Sequence, residues 1–269
     1  MKGFIAAFVL AVAVSVVGAP VVSAYEEAPV ADGGTITGKV TFKGAVPAPK
    51  TFDFAKFPNA GFCEKADSDG KGHRVVQQVN VKGGALADVV VYIEEIAKGK
   101  PFKFEGTDVD TDICRFVVKG GPSKLTGVVV KKAEIRVLNN DADPSDPKAA
   151  TGVLHNPHAY EIAGASSNTI FNLPLPEKGQ TIKKPVVLRK KDSSMKIECD
   201  QHNYMQVFFQ PIDNPYYAIV GEDGAFTIDG VPAGTYELHA FHPILGVQEA
   251  TVTVAAKGKA TADFAFAAK

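Results

Sequence analysis

The chain has 269 residues, with 29 Lys+Arg against 30 Asp+Glu and a formal net charge of −1. That balance excludes nucleic acid as an expected partner, since phosphate backbones require a basic face. Cys and Met number only three each, so where they fall carries weight.

The N-terminal segment predicts export. Lys2 precedes an uncharged apolar run from Phe4 to Val17, Pro20 breaks it, and Val22-Ser23-Ala24 offers small residues for a signal peptidase ahead of Tyr25. The alternative is an uncleaved anchor, but the run is short for a bilayer span. No Cys follows the cut, so lipid attachment there is not expected, and no later stretch reaches spanning length. Residues 1–24 therefore read as a signal peptide. About 245 residues would remain, soluble in a periplasm or outside the cell and able to form one large or two modest cores.

The rest reads as all-β. Thr35–Phe42 alternates like a half-buried strand, and Leu86–Ile93 is β-branched and aromatic behind Gly83-Gly84. Further strands are expected at Leu125–Lys131, Ala133–Leu138, Ala159–Ile162, Lys184–Leu188, Met195–Cys199 and Gln206–Gln210. Many short strands with regular turn signals mean a sandwich or a barrel. Residues 139–150 hold three aspartates in a polar, proline-broken stretch. They lack the glycine and terminal glutamate of a helical calcium loop, so they read as a solvated loop.

Two stretches carry the chemistry. The first is Leu154-His155-Asn156-Pro157-His158-Ala159-Tyr160, and the second is Cys199-Asp-Gln-His202-Asn-Tyr-Met205. The second sets a thiolate, an imidazole and a thioether three residues apart, and these are ligands that copper prefers. In this composition such a string arises by chance in roughly one chain in a thousand. Taken singly, an exported Cys is usually half of a disulfide and a Met is usually core. A trigonal copper site needs a second imidazole from a distant strand, and His155 supplies it some forty residues earlier. Alternation sends His158 to the opposite face unless Pro157 disrupts it. His158 therefore ranks below His155, as a surface histidine near the metal or an alternative ligand. If a metal holds Cys199, then Cys63 and Cys114 are left either to pair or to stay free as buried thiols.

The tail runs Asp223-Gly224-Ala-Phe226-Thr-Ile228 and then Val231-Pro232-Ala-Gly234-Thr-Tyr236-Glu-Leu238. It resembles the carboxypeptidase regulatory-like, transthyretin-like domain, whose pattern is DGxFxIxxVPPGxYxL. That family opens with strands like Ile36–Val40 and Leu86–Val91, which here lie upstream of the cysteine loop. The resemblance implies a discontinuous sandwich over residues 33–100 and 217–269, with a second domain, 101–216, inserted between its strands. The alternative is two or three consecutive domains.

Val153-Leu-His155-Asn156 and Cys199–Met205 together resemble the cupredoxins, which carry a first histidine in a His-Asn pair and the remaining ligands in a Cys–His–Met loop. The three-residue spacings are like those of amicyanin. Over most of the chain the likeness is to secreted proteins of the methylamine-utilisation, plastocyanin-like kind. The resemblance implies a Greek-key sandwich holding one copper ion, with His155, Cys199 and His202 in the plane and Met205 axial. Asn156 would tie the first-ligand strand to the cysteine loop by hydrogen bonds. Related loops have proline and tryptophan where this chain has Asn203 and Tyr204, which implies a looser, more accessible site. Tyr204, Phe208 and Phe209 are the expected apolar surround. His239 and His242 read as partly exposed strand histidines, although related sequences leave open that His242 faces the metal. His73 reads as a loop residue.

The function implied is one-electron transfer by an exported copper protein that is not an enzyme, with an unidentified redox protein as partner. A copper store or carrier, exchanging the ion with a donor or acceptor, is the alternative. A third reading is an envelope interaction module that uses no metal. Cys199 as a nucleophile activated by His202 lacks an orienting third group and leaves Met205 unexplained.

Overall fold

A computed structural model describes residues 25–268, and the expected signal peptide lies outside them. The strand Gly34–Lys43 buries Ile36, Val40 and Phe42 and turns Lys39 and Lys43 to solvent. It pairs antiparallel with Ala225–Val231 and parallel with Lys259–Thr261 and Phe264–Ala267. Between those two parallel stretches Ala262 crosses Gly38 so closely that a Cβ there would lie 1.8 Å from its carbonyl oxygen. Only glycine fits that approach. The facing sheet runs Tyr217–Ile219, Val90–Ile93, Gly234–His242 and Gly246–Val254, all antiparallel. Ile36, Leu86, Ile93, Phe226, Leu238 and Phe266 fill the space between the two sheets.

A second pair of sheets is built wholly from residues 107–211. One carries Phe116–Val118, Thr107–Thr111, Glu134–Leu138 and Thr181–Pro185. The other carries Thr126–Val129, Gln206–Pro211, Ser194–Cys199, Pro157–Ala163 and Ser166–Asn172. Glu134–Leu138 runs parallel to Thr107–Thr111, and Thr126–Val129 runs parallel to Gln206–Pro211. Parallel neighbours need crossover connections, so this is not a simple meander. The molecule is all-β, as expected, with only a helical turn at Ala60–Cys63 and a 3₁₀ turn at Phe54–Lys56 among the described residues.

Residues 50–76 fall within the sequence range expected for the first sandwich, yet their side chains join the core of the second. Lys50–Asp53 pairs with His73–Val76, so His73 opens a strand rather than sitting in a loop. Phe54 and Cys63 are buried beside Phe116, Tyr204 and Met205. Two devices hold this excursion down. Cys63 and Cys114 form a disulfide. Arg74, 1% exposed, donates from Nη1 to the carbonyls of Cys63 and Ala66 at 3.0 and 2.7 Å, and from Nη2 to those of Ile113 and Cys114 at 3.2 and 2.6 Å. Its guanidinium also lies 4.9 Å from the centre of the Tyr204 ring, in cation–π range. The excursion is a cap on the second sandwich.

The two sandwiches meet through Val90, Tyr92 and Phe241 on one side and Val128 and Ile212 on the other. The Ser123 hydroxyl reaches across to donate to the buried Asp88 carboxylate, which also accepts from Asn80. Among the described residues no helix is long and apolar enough to cross a membrane.

Candidate metal centre

Along Ser194–Cys199 the buried side chains are Met195, Ile197 and Cys199, so strand alternation turns the Cys199 thiol inward. The following loop is closed by its own backbone. The His202 N–H donates to the Cys199 carbonyl at 3.1 Å, Met205 N–H to the His202 carbonyl at 2.8 Å, and Cys199 N–H to the Met205 carbonyl at 3.1 Å. That closure returns His202 and Met205 to the end of the sandwich where Cys199 sits. His155 reaches the same end from a bridge to Leu175, exchanging backbone bonds of 3.2 and 2.8 Å.

Three donor atoms converge. Cys199 Sγ lies 3.7 Å from His202 Nδ1 and 3.9 Å from His155 Nδ1. Cys199, His155 and His202 are each 0% exposed, and Met205 is 2% exposed. Each imidazole is oriented by a partner on its far nitrogen. His155 Nε2 lies 2.9 Å from Asp141 Oδ2, and His202 Nε2 lies 3.0 Å from the Pro58 carbonyl oxygen. A carbonyl oxygen only accepts, so His202 Nε2 carries the proton, and the Asp141 carboxylate sets the same tautomer for His155. Both Nδ1 lone pairs then face the thiol.

Burial pushes the Cys199 thiol up to about 11, against the backbone N–H groups of Asn156, Gln201 and His202, which pull it down. Burial, with His155 adding to it, pushes the His202 imidazole down to about 4. At neutral pH the site is therefore uncharged on both groups. Burial alone would raise the Asp141 carboxyl. Hydrogen bonds from His155 and from the N–H groups of Cys114 and Ile113 outweigh it and hold the group below the ordinary range.

The donor set fits a shared soft ion. A sulfur about 2.3 Å and a nitrogen about 2.0 Å from a common metal, at tetrahedral to trigonal angles, stand about 3.5–3.7 Å apart. The separation to His202, 3.7 Å, lies at that edge length, and the one to His155, 3.9 Å, is about 0.2 Å longer.

Asn156 acts on the loop in two ways. Its backbone N–H donates to Cys199 Sγ at 3.3 Å, its carbonyl accepts from Asp200 N–H at 3.0 Å, and its side-chain amide reaches Asp200 at 3.4 Å. His158 is not part of the cluster. It points to the other face, stacked 4.0 Å from the Tyr160 ring and bonded to Asp200 and Thr169 at 3.1 and 2.8 Å. His242 does not face the centre either. It is 0% exposed within the first sandwich, and its Nδ1 accepts from the N–H groups of Ile244 and Leu245. His239 stands on the outer face of the same sandwich between Glu94 and Glu237.

Two expectations are overturned. The site is closed rather than accessible, because the cap covers it. Tyr204 is 4% exposed, with Phe57, Phe52 and Phe54 ring centres 5.0, 5.8 and 6.2 Å from its own. Phe209 is buried in the core as expected, whereas Phe208 is only half-buried on the opposite face. The second correction concerns residues 139–150. Asn139 and Asp141 are 0% and 3% exposed, so the loop's first residues are structural rather than solvated. The Asn139 amide donates to the carbonyls of Val153 and Leu175 at 2.9 Å each, fixing the two segments that carry and bridge His155.

Asp141, His155 and Cys199 stand in the order of an acid–base–nucleophile relay, through His155 rather than His202, whose far nitrogen meets only the Pro58 carbonyl. The thiol has no exposed surface, and burial keeps it protonated at neutral pH, which denies it the reactivity of a catalytic cysteine.

Comparison with known proteins gives partial matches. The family model of polysaccharide lyase family 4, domain II matches residues 200–262. No curated protein matches the chain. Among solved structures, a copper-containing nitrite reductase from Thermus scotoductus SA-01 is 12% identical with a TM-score of 0.29, over 45% of this chain and 25% of that one. A reduced amicyanin variant is 14% identical with a TM-score of 0.25, over 41% of this chain and 86% of its own. A purple cupredoxin from Nitrosopumilus maritimus is 16% identical with a TM-score of 0.23, over 32% of this chain and 77% of its own.

Proposed function

We propose that this is an exported copper protein that transfers single electrons, in which His155, Cys199 and His202 would be the principal residues holding the ion and Met205 would supply a fourth, weaker sulfur donor. The observation that carries the reading is the buried thiol faced by two Nδ1 lone pairs at 3.7 and 3.9 Å, each imidazole held from behind. When bound, copper supplies the change between Cu(I) and Cu(II).

The chain's own residues do the rest. Cys199 would hold the ion as a thiolate, which the Asn156 N–H, already donating to Sγ, would steady. Asp141 and Pro58 keep the imidazoles from turning, so the ligands need not rearrange between oxidation states. Tyr204 and the phenylalanines of the cap keep water away. Closure by the cap favours electron transfer over storage or delivery, because a carrier must hand its ion on. A buried, protonated thiol argues against catalysis. On this reading the sandwich of residues 33–100 and 217–269 is of the carboxypeptidase regulatory-like kind, the inserted one that holds the centre is cupredoxin-like, the partner is another redox protein, and the place of work is the periplasm or outside the cell.

The test is an absorption spectrum of purified protein given Cu(II). An intense thiolate-to-copper charge-transfer band is expected, and Cys199→Ser should abolish it. A variant that keeps the colour refutes the ligand assignment. Binding of Cu(I) alone, without a reversible reduction wave, would favour the carrier instead. Failure to bind copper at all would favour a module that uses no metal.

A further inference from the structure

His202 has a sulfur on both sides. Its Nδ1 lies 3.7 Å from Cys199 Sγ, and its Nε2 lies 3.7 Å from Cys63 Sγ. The donor atoms of Cys63, Cys114 and His202 all fall within 4.8 Å of one another and are fully buried. With the disulfide intact, those two sulfurs have no charge to offer a metal. We propose that Cys63 and Cys114, once reduced, form a second soft-metal site that takes Cu(I) and shares His202 with the first.

Three features of the cap support this. First, the sulfurs do not depend on their own bond for position. Phe54 and Phe57 pack on Tyr204, and Arg74 binds the carbonyls of both cysteines and of Ala66 and Ile113, so the folded cap keeps the two thiols beside His202. Second, the charge is matched. Two thiolates around one Cu(I) leave a net −1, and the Arg74 guanidinium is a fixed positive charge bonded to both cysteine backbones. Third, two thiolates and an imidazole are a donor set that soft Cu(I) accepts. The inference goes beyond the proposed electron-transfer site and does not need copper at Cys199.

The chemistry balances with a dithiol or a phosphine as reductant. With a phosphine and one water, the disulfide becomes two thiols and the phosphine becomes its oxide. Cu(I) then displaces both thiol protons; the Nε2 proton that His202 now gives to Pro58 moves to Nδ1 when the first site is empty, which keeps the net −1, and leaves the imidazole when copper already holds Nδ1.

The test is the Cu(I) stoichiometry of the whole protein, titrated under argon in competition with a chromogenic chelator, before and after treatment with a phosphine that is then removed. One equivalent is expected for the oxidised protein and two for the reduced protein. The reduced Cys199→Ser and reduced Cys63→Ser variants should each take one. X-ray absorption on reduced Cys199→Ser should report two sulfurs per copper. Equal uptake before and after reduction would overturn the proposal, as would two equivalents in reduced Cys63→Ser. Loss of the β-sheet circular dichroism on reduction would also overturn it, because the site depends on the folded cap. If instead the oxidised protein takes none and the reduced protein takes one, the proposed electron-transfer site fails while this one stands.

Discussion

His242 in the enclosing sandwich and His202 in the enclosed one are both 0% exposed, and burial pushes both imidazoles down to about 4. Their neighbours differ completely. His242 caps a turn with one nitrogen, and its other nitrogen has no partner beside the Phe266 ring. His202 is held through Nε2 and presents Nδ1 to a thiol. Around it the enclosed sandwich and its cap also bury Thr111, Asn139, Asp141, His155 and, from the cap, Arg74, nearly all tied into one hydrogen-bonded set. Burial alone therefore does not mark a functional histidine. The mark is a second buried polar layer that fixes which nitrogen is free.

That contrast can be broken or sharpened by measurement. The largest expected effect comes from reducing the disulfide, whose cysteines are 51 residues apart. Chain-entropy reasoning puts its loss at about 4 kcal/mol. Hydrogen exchange should place that loss in the enclosed sandwich and its cap. An equal loss of protection in the enclosing sandwich would mean that the two unfold as one unit.

Acid comes next. A histidine whose folded pKa lies below its ordinary 6.5 binds protons more readily when the chain is unfolded. The stability each contributes is complete above pH 6.5 and is lost as pH falls toward 4, by about 3 kcal/mol per residue. His242→Asn should flatten half of that fall in a denaturant series and leave the copper band unchanged. His202→Asn should flatten the other half and abolish the band.

Asp141→Asn removes the carboxylate behind His155 while keeping its shape. Copper affinity should fall by 10–100-fold, about 2 kcal/mol, as read by chelator competition. A smaller change would mean that Asn139 and Leu175 alone hold the ring. The smallest effect is expected from His158→Ala, within about 0.5 kcal/mol by denaturant unfolding and with no change of spectrum. A shifted band would draw His158 into the centre and blur the contrast between a ligand and a bystander.

Much of this was legible in the residues. Strands such as Gly34–Lys43 and Ser194–Cys199 advertise themselves by alternation, because one face meets the core. The ligand candidates stand out because Cys and Met are scarce. What stayed hidden depends on partners far along the chain. Ser166–Asn172 is exposed and polar over its first four residues and buries only Phe171, an outer strand with no apolar alternation to read. Asp141 sits among residues whose composition suits solvent, and only its burial against His155 reveals its work. Arg74 is the same case in reverse, a charge placed where charges rarely go, supported by four carbonyls supplied by two separate segments. Asn203 and Tyr204 do not reveal the closure from within their own loop, because the cover comes from residues 50–76.

Gly34–Lys43 bears on how the molecule is made. Three of its partners, Ala225–Val231, Lys259–Thr261 and Phe264–Ala267, lie near the far end of the chain. During vectorial synthesis that strand emerges early and stays unpaired on those edges until nearly everything else has appeared. The sandwich of residues 107–211 needs no later strand. Contacts this distant in sequence close slowly, so the inner sandwich can be complete while the outer one is still a pair of separated halves. A chain stopped short of Phe264 would then leave the ligand cluster assembled inside an unfinished frame, with the edge of Gly34–Lys43 open to another chain.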